Sequence, residues 1–289
     1  MLSRRCFSAL TPLLALSAHA PASSARPRDD VRSRYFTTSD GVRLHYLESG
    51  PRGAHVVLFV PGWTMPAWIW TPQIIAFSHR YHVFALDPRG QGESEIPLSG
   101  YEPNRRGRDI GEMIAQVAPA PVLVVGWSFG VLDTLAYVHT SGDALLAGLV
   151  LVDNSVGEDP APVPIRPGAP VPHVVAMRRF VAGMFRRPQS ADYLERLTEA
   201  SLRTPETICR ELLSYPVPRS YWRTAIYSTD KPVLYVVRAG FAAQAANLAR
   251  KRPNTETALF TDAGHALFVD DARRFNALLA SFITRRIWP

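Results

Sequence analysis

The hydrophobic pattern of the chain alternates between short apolar runs and longer amphipathic stretches. The apolar runs are short enough to be strands covered on both faces. They occupy 56–60, 81–86, 121–125, 148–152 and 233–237, with a weaker run at 257–260. Stretches with helical periodicity lie between or after them, at 69–78, 105–117, 131–140, 241–250 and 272–287. Strands that alternate with helices predict an α/β protein with a mostly parallel, doubly wound sheet.

Two regions depart from this alternation. Residues 35–38 and 42–47 alternate polar and apolar positions around a turn at 39–41, which predicts an antiparallel hairpin at the sheet edge. Residues 154–231 show no strand pattern, but six prolines between 160 and 172 followed by four helix-like stretches. We therefore predict a core of 26–153 and 232–289 and a helical cap, 154–231, inserted after the sixth strand.

The first 25 residues are predicted to be an export signal rather than part of the fold. Arg4 and Arg5 precede a mildly apolar run and then small residues, with Ala25 the favoured cleavage position. The arginine pair is typical of a twin-arginine signal. Beyond it, no apolar run is long enough to span a membrane. The pattern predicts a soluble protein that is periplasmic or secreted, without stable membrane association.

Composition narrows the possible partners. The net charge of +7 comes from basic residues scattered in short pairs, without the basic stripe that nucleic-acid binding requires. Cys6 leaves with the signal, so Cys209 has no partner for a disulfide. No histidine, cysteine or acidic cluster has metal-ligand spacing, and no dinucleotide fingerprint occurs. We expect no metal, no cofactor and no nucleic acid; the sequence carries no signal of oligomeric state.

The most informative motif is GWSFG at 126–130. It follows an apolar strand and precedes a helix, and in that context the serine of G-x-S-x-G lies on a strained turn with its hydroxyl exposed at the sheet edge. We predict that Ser128 is a nucleophile. A serine hydroxyl needs a neighbouring base, and His265 follows the last predicted strand, from where it can reach the same edge. The other seven histidines lie in the signal, beside strands or in helical regions.

Four motifs in this order resemble the α/β-hydrolase superfamily, and are similar to its capped, esterase- and haloperoxidase-like branch. They are PGW at 61–63, DPRGQGES at 87–94, GWSFG at 126–130 and GH at 264–265, and the resemblance covers 35–287. It implies that the backbone N–H groups of Trp63 and Phe129 form an oxyanion hole; the second also follows from the turn itself. Relatives usually have His-Gly where this chain has Pro61 and Gly62.

The third member of the triad is less evident. Many relatives place an aspartate after the strand that corresponds to 233–237, but no carboxylate occurs at 238–244. The superfamily also uses an acid at the end of the preceding strand, and Asp153 ends 149–153. We assign Asp153 as the acid. Glu158, Asp159 or a serine–histidine dyad are the alternatives.

Other polar residues receive structural interpretations. In the loop at 87–94, Asp87, Arg89 and Ser94 are expected to stabilise turns, and Asp270 and Asp271 to begin the last helix. Apolar residues near the oxyanion loop and in the insertion suggest a pocket for an apolar or aromatic group. The pocket residues we predict are Met65, Trp68, Trp127, Phe180 and Met184.

These assignments predict a serine hydrolase that cleaves a carboxylic ester or lactone through an acyl-enzyme. A cofactor-free perhydrolase, an amidase and a C–C bond hydrolase use the same groups and stay open. Dehalogenases and epoxide hydrolases have an aspartate nucleophile and are disfavoured because position 128 is serine. The competing class is a binding protein that keeps the fold without turnover.

Overall fold

Eight strands form one sheet in the order β1-β2-β4-β3-β5-β6-β7-β8. The computed structural model describes residues 31–117, 121–163, 171–214 and 216–289. The strands are β1 Arg32–Thr37, β2 Arg43–Ser49, β3 Val56–Val60, β4 His82–Leu86, β5 Val122–Trp127, β6 Leu146–Val152, β7 Val233–Val237 and β8 Thr255–Leu259. Strand β2 pairs antiparallel with β1 on one side and with β4 on the other, and all other pairs are parallel.

Ten α-helices accompany the sheet in the described residues. Six belong to the alternating core: α1 Thr71–Phe77, α2 Pro103–Val117, α3 Phe129–Ser141, α8 Ala242–Lys251, α9 Leu267–Asp270 and α10 Ala272–Phe282. Four lie between β6 and β7: α4 His173–Gly183, α5 Ala191–Leu202, α6 Glu206–Leu213 and α7 Arg219–Ser228. The helical insertion thus occurs where the pattern predicts it, while 154–231 as a separate cap domain stays a prediction.

Each face of the sheet has its own apolar core. On one face, strand residues such as Leu58 form a buried cluster with residues of α2, α3, α7 and α8, among them Met113 and Leu135. On the other face they pack with α1, α9 and α10, for example Phe59 with Trp70 and Phe275. Every residue of β3, β4, β5 and β7 is buried, as expected for strands covered by helices on both sides.

The pairing of the central strands decides where the candidate site lies. The N–H of Ser128, just beyond β5, donates to Val152 O at 2.8 Å, and the N–H of Asp153 donates to Val236 O at 2.8 Å. The carboxyl ends of β5, β6 and β7 therefore lie side by side. In parallel sheets this edge is where ligands bind.

The α/β fold with a mostly parallel, doubly wound sheet is confirmed. The structure adds the short helix α9, which the pattern did not predict, and the closing helix predicted over 272–287 is α-helical to Phe282 and continues as a π-helix over Ile283–Ile287. The predicted export signal, residues 1–25, and the prolines within 164–170 lie outside the described residues. In the described part of the chain, no helix has both the length and the apolar character needed to cross a membrane.

Candidate active site

Ser128 lies on a strained turn between β5 and α3. Its backbone has φ 53° and ψ −119°, a region that non-glycine residues rarely adopt. A Cβ at Gly126 would lie 2.5 Å from Gly130 O, and one at Gly130 would lie 2.4 Å from Val60 O. Both positions therefore require glycine, because the strand, the turn and the helix approach too closely for a side chain.

A chain of hydrogen bonds joins Ser128, His265 and Asp153. Ser128 Oγ lies 2.7 Å from His265 Nε2, and His265 Nδ1 lies 2.7 Å from Asp153 Oδ2. The His265 side chain is 22% exposed, whereas that of Asp153 is fully buried. The structure brings together the three residues assigned from sequence. In this arrangement Nε2 can accept the serine proton while Nδ1–H donates to the carboxylate.

Asp153 is held by a residue that the sequence reasoning missed. The backbone N–H of Arg238 donates to Asp153 Oδ1 at 2.9 Å, and its Nε donates to Oδ2 at 2.6 Å. Burial acts to raise the pKa of Asp153, but hydrogen bonding and charge from His265 and the charge of Arg238 outweigh it, so the pKa lies below its ordinary value. Asp153 is therefore ionised at neutral pH. Like Ser128, it has a positive φ, of 52°.

The alternative acids have other partners. Glu158 Oε1 accepts from Lys251 Nζ at 2.8 Å, and its Oε2 accepts from the Tyr227 hydroxyl. Burial acts to raise the pKa of Glu158, yet these donors lower it to about 2. Asp159 is largely exposed and pairs with Arg223 at 3.0 Å. Neither carboxylate is hydrogen-bonded to His265 in the described contacts.

The loop that carries His265 is fixed from several directions. Trp127 Nε1 donates to His265 O at 2.9 Å, and the Trp127 ring packs edge-on against Phe268. The buried carboxylate of Asp270 accepts from Gly264 N at 2.6 Å and from Arg186 N at 2.7 Å. Asp271 caps α10, as predicted, but Asp270 instead ties the histidine loop to the α4–α5 connection.

The two predicted oxyanion donors flank Ser128. Phe129 is the first residue of α3, so its N–H belongs to the positive end of a helix. A Cβ at Gly62 would lie 3.1 Å from Ser128 Cβ, which shows how closely the 61–63 loop approaches the serine. The Trp63 indole donates to Cys209 O of α6 at 3.0 Å and packs edge-on against Phe180 of α4. The inserted helices therefore contact the loop beside the serine.

The five predicted pocket residues occupy different environments. Met65, Trp127 and Met184 are almost fully buried, at 0%, 1% and 2% exposure. Phe180 packs against Trp63. Trp68 instead lines a cleft of about 490 Å³ between α5 and the core. None of the triad residues lines that cleft.

The same cleft contains a second serine–histidine–aspartate chain. Ser33 Oγ lies 2.8 Å from His45 Nε2, and His45 Nδ1 lies 2.7 Å from Asp87 Oδ2. Asp87 also accepts from the backbone N–H groups of Ala67 and Glu93. Its carboxylate thus organises the loop that follows β4. Ser94 acts in the same way, since its hydroxyl donates to Asp87 O at 2.5 Å.

Arg89 of this loop is also structural. Its side chain is fully buried, and it forms ion pairs with Asp109 at 2.5 Å and Asp40 at 3.1 Å. In the described part of the chain, no group of three or more histidine, cysteine or acidic residues is arranged to hold a metal ion.

Residues 57–278 match the alpha/beta hydrolase family. The chain belongs to this family. Its relatives include a non-heme chloroperoxidase of Streptomyces lividans, 33% identical over 40% of this chain and 42% of the relative. Another is a bifunctional esterase/perhydrolase of Acinetobacter calcoaceticus, 30% identical over 41% of this chain and 43% of the relative. The chain thus matches less than half the length of these curated relatives.

A solved structure covers more of this hydrolase-family chain. The crystal structure of a putative aryl esterase from Burkholderia cenocepacia superposes with a TM-score of 0.79 and 24% identity. The superposition covers 88% of this chain and 98% of that one. At this identity the likeness concerns the fold.

The contacts that three residues make around the triad were not evident from the sequence. Arg238 lies at a position where the sequence was searched for an acid, and a basic residue there gave no signal. The indole bond of Trp127 to His265 O joins residues 138 positions apart, and the bond from Arg186 N to Asp270 joins residues 84 positions apart, whereas Gly264 and Asp270 are 6 positions apart. Only the packing of distant segments brings the first two contacts together.

Proposed function

We propose that this protein is a serine hydrolase that cleaves carboxylic esters or lactones through an acyl-enzyme. The observation that carries the proposal is the hydrogen-bond chain Ser128–His265–Asp153 at a strained turn. It is supported by membership of the alpha/beta hydrolase family and by a relative whose name includes esterase activity.

The proposed acylation step uses each group of the chain. As Ser128 Oγ attacks the ester carbonyl carbon, its proton moves to His265 Nε2, and Asp153 stabilises the resulting imidazolium through Nδ1–H. The carbonyl oxygen becomes an oxyanion, for which we propose the N–H groups of Trp63 and Phe129 as donors. One such donor typically contributes about 3 kcal/mol to transition-state stabilisation. The C–O bond then breaks, and the leaving alcohol takes the proton from His265.

Deacylation repeats these steps with water. His265 takes a proton from water, the hydroxide attacks the acyl carbon, and Ser128 Oγ leaves and regains its proton. For a lactone, the leaving alcohol stays part of the acyl chain throughout, so that deacylation releases a hydroxy acid. The edge-on contact of Trp63 with Phe180, at 5.1 Å, supports an apolar or aromatic group near the serine.

A perhydrolase activity on the same triad is the second candidate. Hydrogen peroxide would replace water in deacylation, so that the acyl group leaves as a peracid and Ser128 is regenerated. The names of the two curated relatives, a chloroperoxidase and an esterase/perhydrolase, favour this alternative. Adding peroxide to an ester assay and measuring peracid formation against acid formation tests it directly.

Hydrolysis of p-nitrophenyl esters from acetate to decanoate by the full-length protein tests the leading proposal. Labelling of Ser128 by a fluorophosphonate separates an enzyme from a binding protein, since an unactivated serine does not react at a comparable rate. Turnover and labelling that both disappear in Ser128→Ala are expected. A wild-type protein that neither hydrolyses any chain length nor becomes labelled would favour the binding-protein reading.

A further inference from the structure

Arg238 adds a cation to the proposed triad. Its backbone N–H binds one oxygen of Asp153, and its Nε binds the other at 2.6 Å. That second oxygen, Oδ2, also accepts the bond from His265 Nδ1 at 2.7 Å. Arg238 Nη2 lies 3.4 Å from the same Nδ1. The guanidinium therefore shares the carboxylate with the histidine and lies beside the imidazole.

The net charge of this group distinguishes it from a triad without the arginine. With a neutral imidazole, Asp153 and Arg238 sum to zero. When His265 takes the serine proton, the group becomes a cation instead of the neutral pair that an aspartate and an imidazolium would form. A like charge at this distance opposes protonation of the imidazole. The bonds from Arg238 also keep a buried carboxylate ionised and fix its orientation.

We propose that Arg238 is a positioning residue that orients Asp153 and extends the activity of His265 to lower pH. The inference rests on the proposed function, because it concerns the same Ser128–His265–Asp153 chain. Without the guanidinium, His265 would hold its proton, and so be inactive as a base, up to a higher pH. The same positive charge makes neutral His265 a weaker base at the plateau of the pH profile.

The other charged and polar groups near His265 have partners elsewhere, are exposed or carry no charge, and so they act on the imidazole less directly than Arg238. On the loop that carries His265, the Asp270 carboxylate accepts a hydrogen bond from Gly264 N, and Asp262 is exposed. From the α4–α5 connection, the Arg186 guanidinium binds Thr261 O. From β5, the Trp127 ring lies 5.2 Å from the imidazole and carries no charge. From β7, the Tyr235 hydroxyl donates to Asn154 O at 2.7 Å.

The test is a pair of pH titrations on the full-length protein. One records kcat/KM for a p-nitrophenyl ester, and the other follows the His265 ring by NMR in protein labelled with 15N-histidine, assigned with His265→Gln. In Arg238→Gln we expect both midpoints to rise by about one pH unit, allowing for the partial exposure of the guanidinium. In Arg238→Lys most of the shift is absent, since the charge is retained without the fork that Nε provides.

The control is Arg223→Gln, because Arg223 is similarly exposed, at 37% against 40%, and pairs with Asp159 instead of Asp153. Its midpoints should equal those of the wild type. Unchanged midpoints in folded Arg238→Gln, or an equal shift in Arg223→Gln, would overturn the inference. The NMR titration tests the role of Arg238 even in the absence of turnover. A protein that shows neither turnover nor fluorophosphonate labelling would instead contradict the proposed hydrolase function and leave the NMR result on Arg238 standing. Should Arg238→Gln fail to fold, Arg238→Lys decides: an NMR midpoint raised by a full unit despite the retained charge would contradict the electrostatic effect.

Discussion

Two serine–histidine–aspartate chains occur in this molecule with nearly the same distances. In one, Ser128, His265 and Asp153 are joined by two contacts of 2.7 Å. In the other, Ser33, His45 and Asp87 are joined by contacts of 2.8 and 2.7 Å. Hydrogen-bond geometry alone does not tell them apart.

The surroundings of the two serines differ. Ser128 has a strained backbone at the start of a helix, where N–H groups converge on one point. Ser33 lies in the regular antiparallel strand β1, opposite Leu47, and N–H groups in such a strand point alternately to either side. Of the two serines, Ser128 is therefore the one that lies beside the positive end of a helix, where negative charge is stabilised. A triad is therefore defined by what surrounds the transition state as much as by its three side chains.

The largest expected difference is between the two serines. We expect Ser128→Ala to lower kcat/KM by about 10⁴-fold or more, because the nucleophile is lost. Ser33→Ala should leave kcat/KM within about twofold, since a surface substitution away from the reacting atoms has little effect. Ester hydrolysis by both variants measures the difference. A large loss in Ser33→Ala would mean that the second chain takes part in the reaction.

The two aspartates should separate activity from stability. Asp153→Asn is expected to lower kcat by about 10³- to 10⁴-fold, because an amide favours the wrong imidazole tautomer. Asp87→Asn should instead lower the free energy of unfolding by about 2–3 kcal/mol, because the amide nitrogen replaces one carboxylate oxygen and cannot accept: at Oδ2 the bonds from His45 and Glu93 are lost, and at Oδ1 the bond from Ala67. Activity assays and urea unfolding of both variants test this. An active Asp153→Asn would contradict the acid assignment.

The strained turn can be tested through its glycines. A Cβ at Gly130 would lie 2.4 Å from Val60 O and 2.6 Å from Pro61 O. Gly130→Ala is therefore expected to cost about 2–4 kcal/mol of unfolding free energy and to reduce activity. Gly183→Ala is the control, since no atom lies within 4 Å of a Cβ there. Equal unfolding midpoints for the two variants would show that the turn tolerates a side chain.

The smallest effect concerns Glu158, the alternative acid. Its pKa, about 2, lies below the ordinary 4.5, so its ion pair stabilises the fold above about pH 5, and this stability is lost as the pH falls towards 2. Glu158→Gln should lower the free energy of unfolding by about 1–2 kcal/mol at pH 7, a modest loss because the Lys251 partner is 46% exposed and partly screened. Near pH 2 the loss should be much smaller, because the wild-type carboxylate is then largely protonated.

Activity in Glu158→Gln should stay within about threefold of the wild type, since Glu158 does not contact His265. Unfolding curves at several pH values, with exposed Glu199→Gln as control, measure the stability effect. A pH-independent difference would indicate that Glu158 contributes through packing instead of charge.

Most of the sheet could be predicted because its strands are buried on both faces and appear as uninterrupted apolar runs. Helix α9 could not, since four residues are too few to show a helical period. Trp127 is a different case. The motif placed it beside the serine, but its indole bond to His265 depends on the distance between two loops.

The sequence by itself determined the alternation of strands and helices, the strained serine turn and the order of Ser128, Asp153 and His265, because each depends on local composition. Only the tertiary structure decided which carboxylate meets His265, since strands β5 and β6 must first pair before Asp153 lies at the serine's edge. It also decided that Arg238 binds that carboxylate and that Ser33 has a similar hydrogen-bond chain. Such contacts join residues far apart in the chain, and no local pattern encodes them.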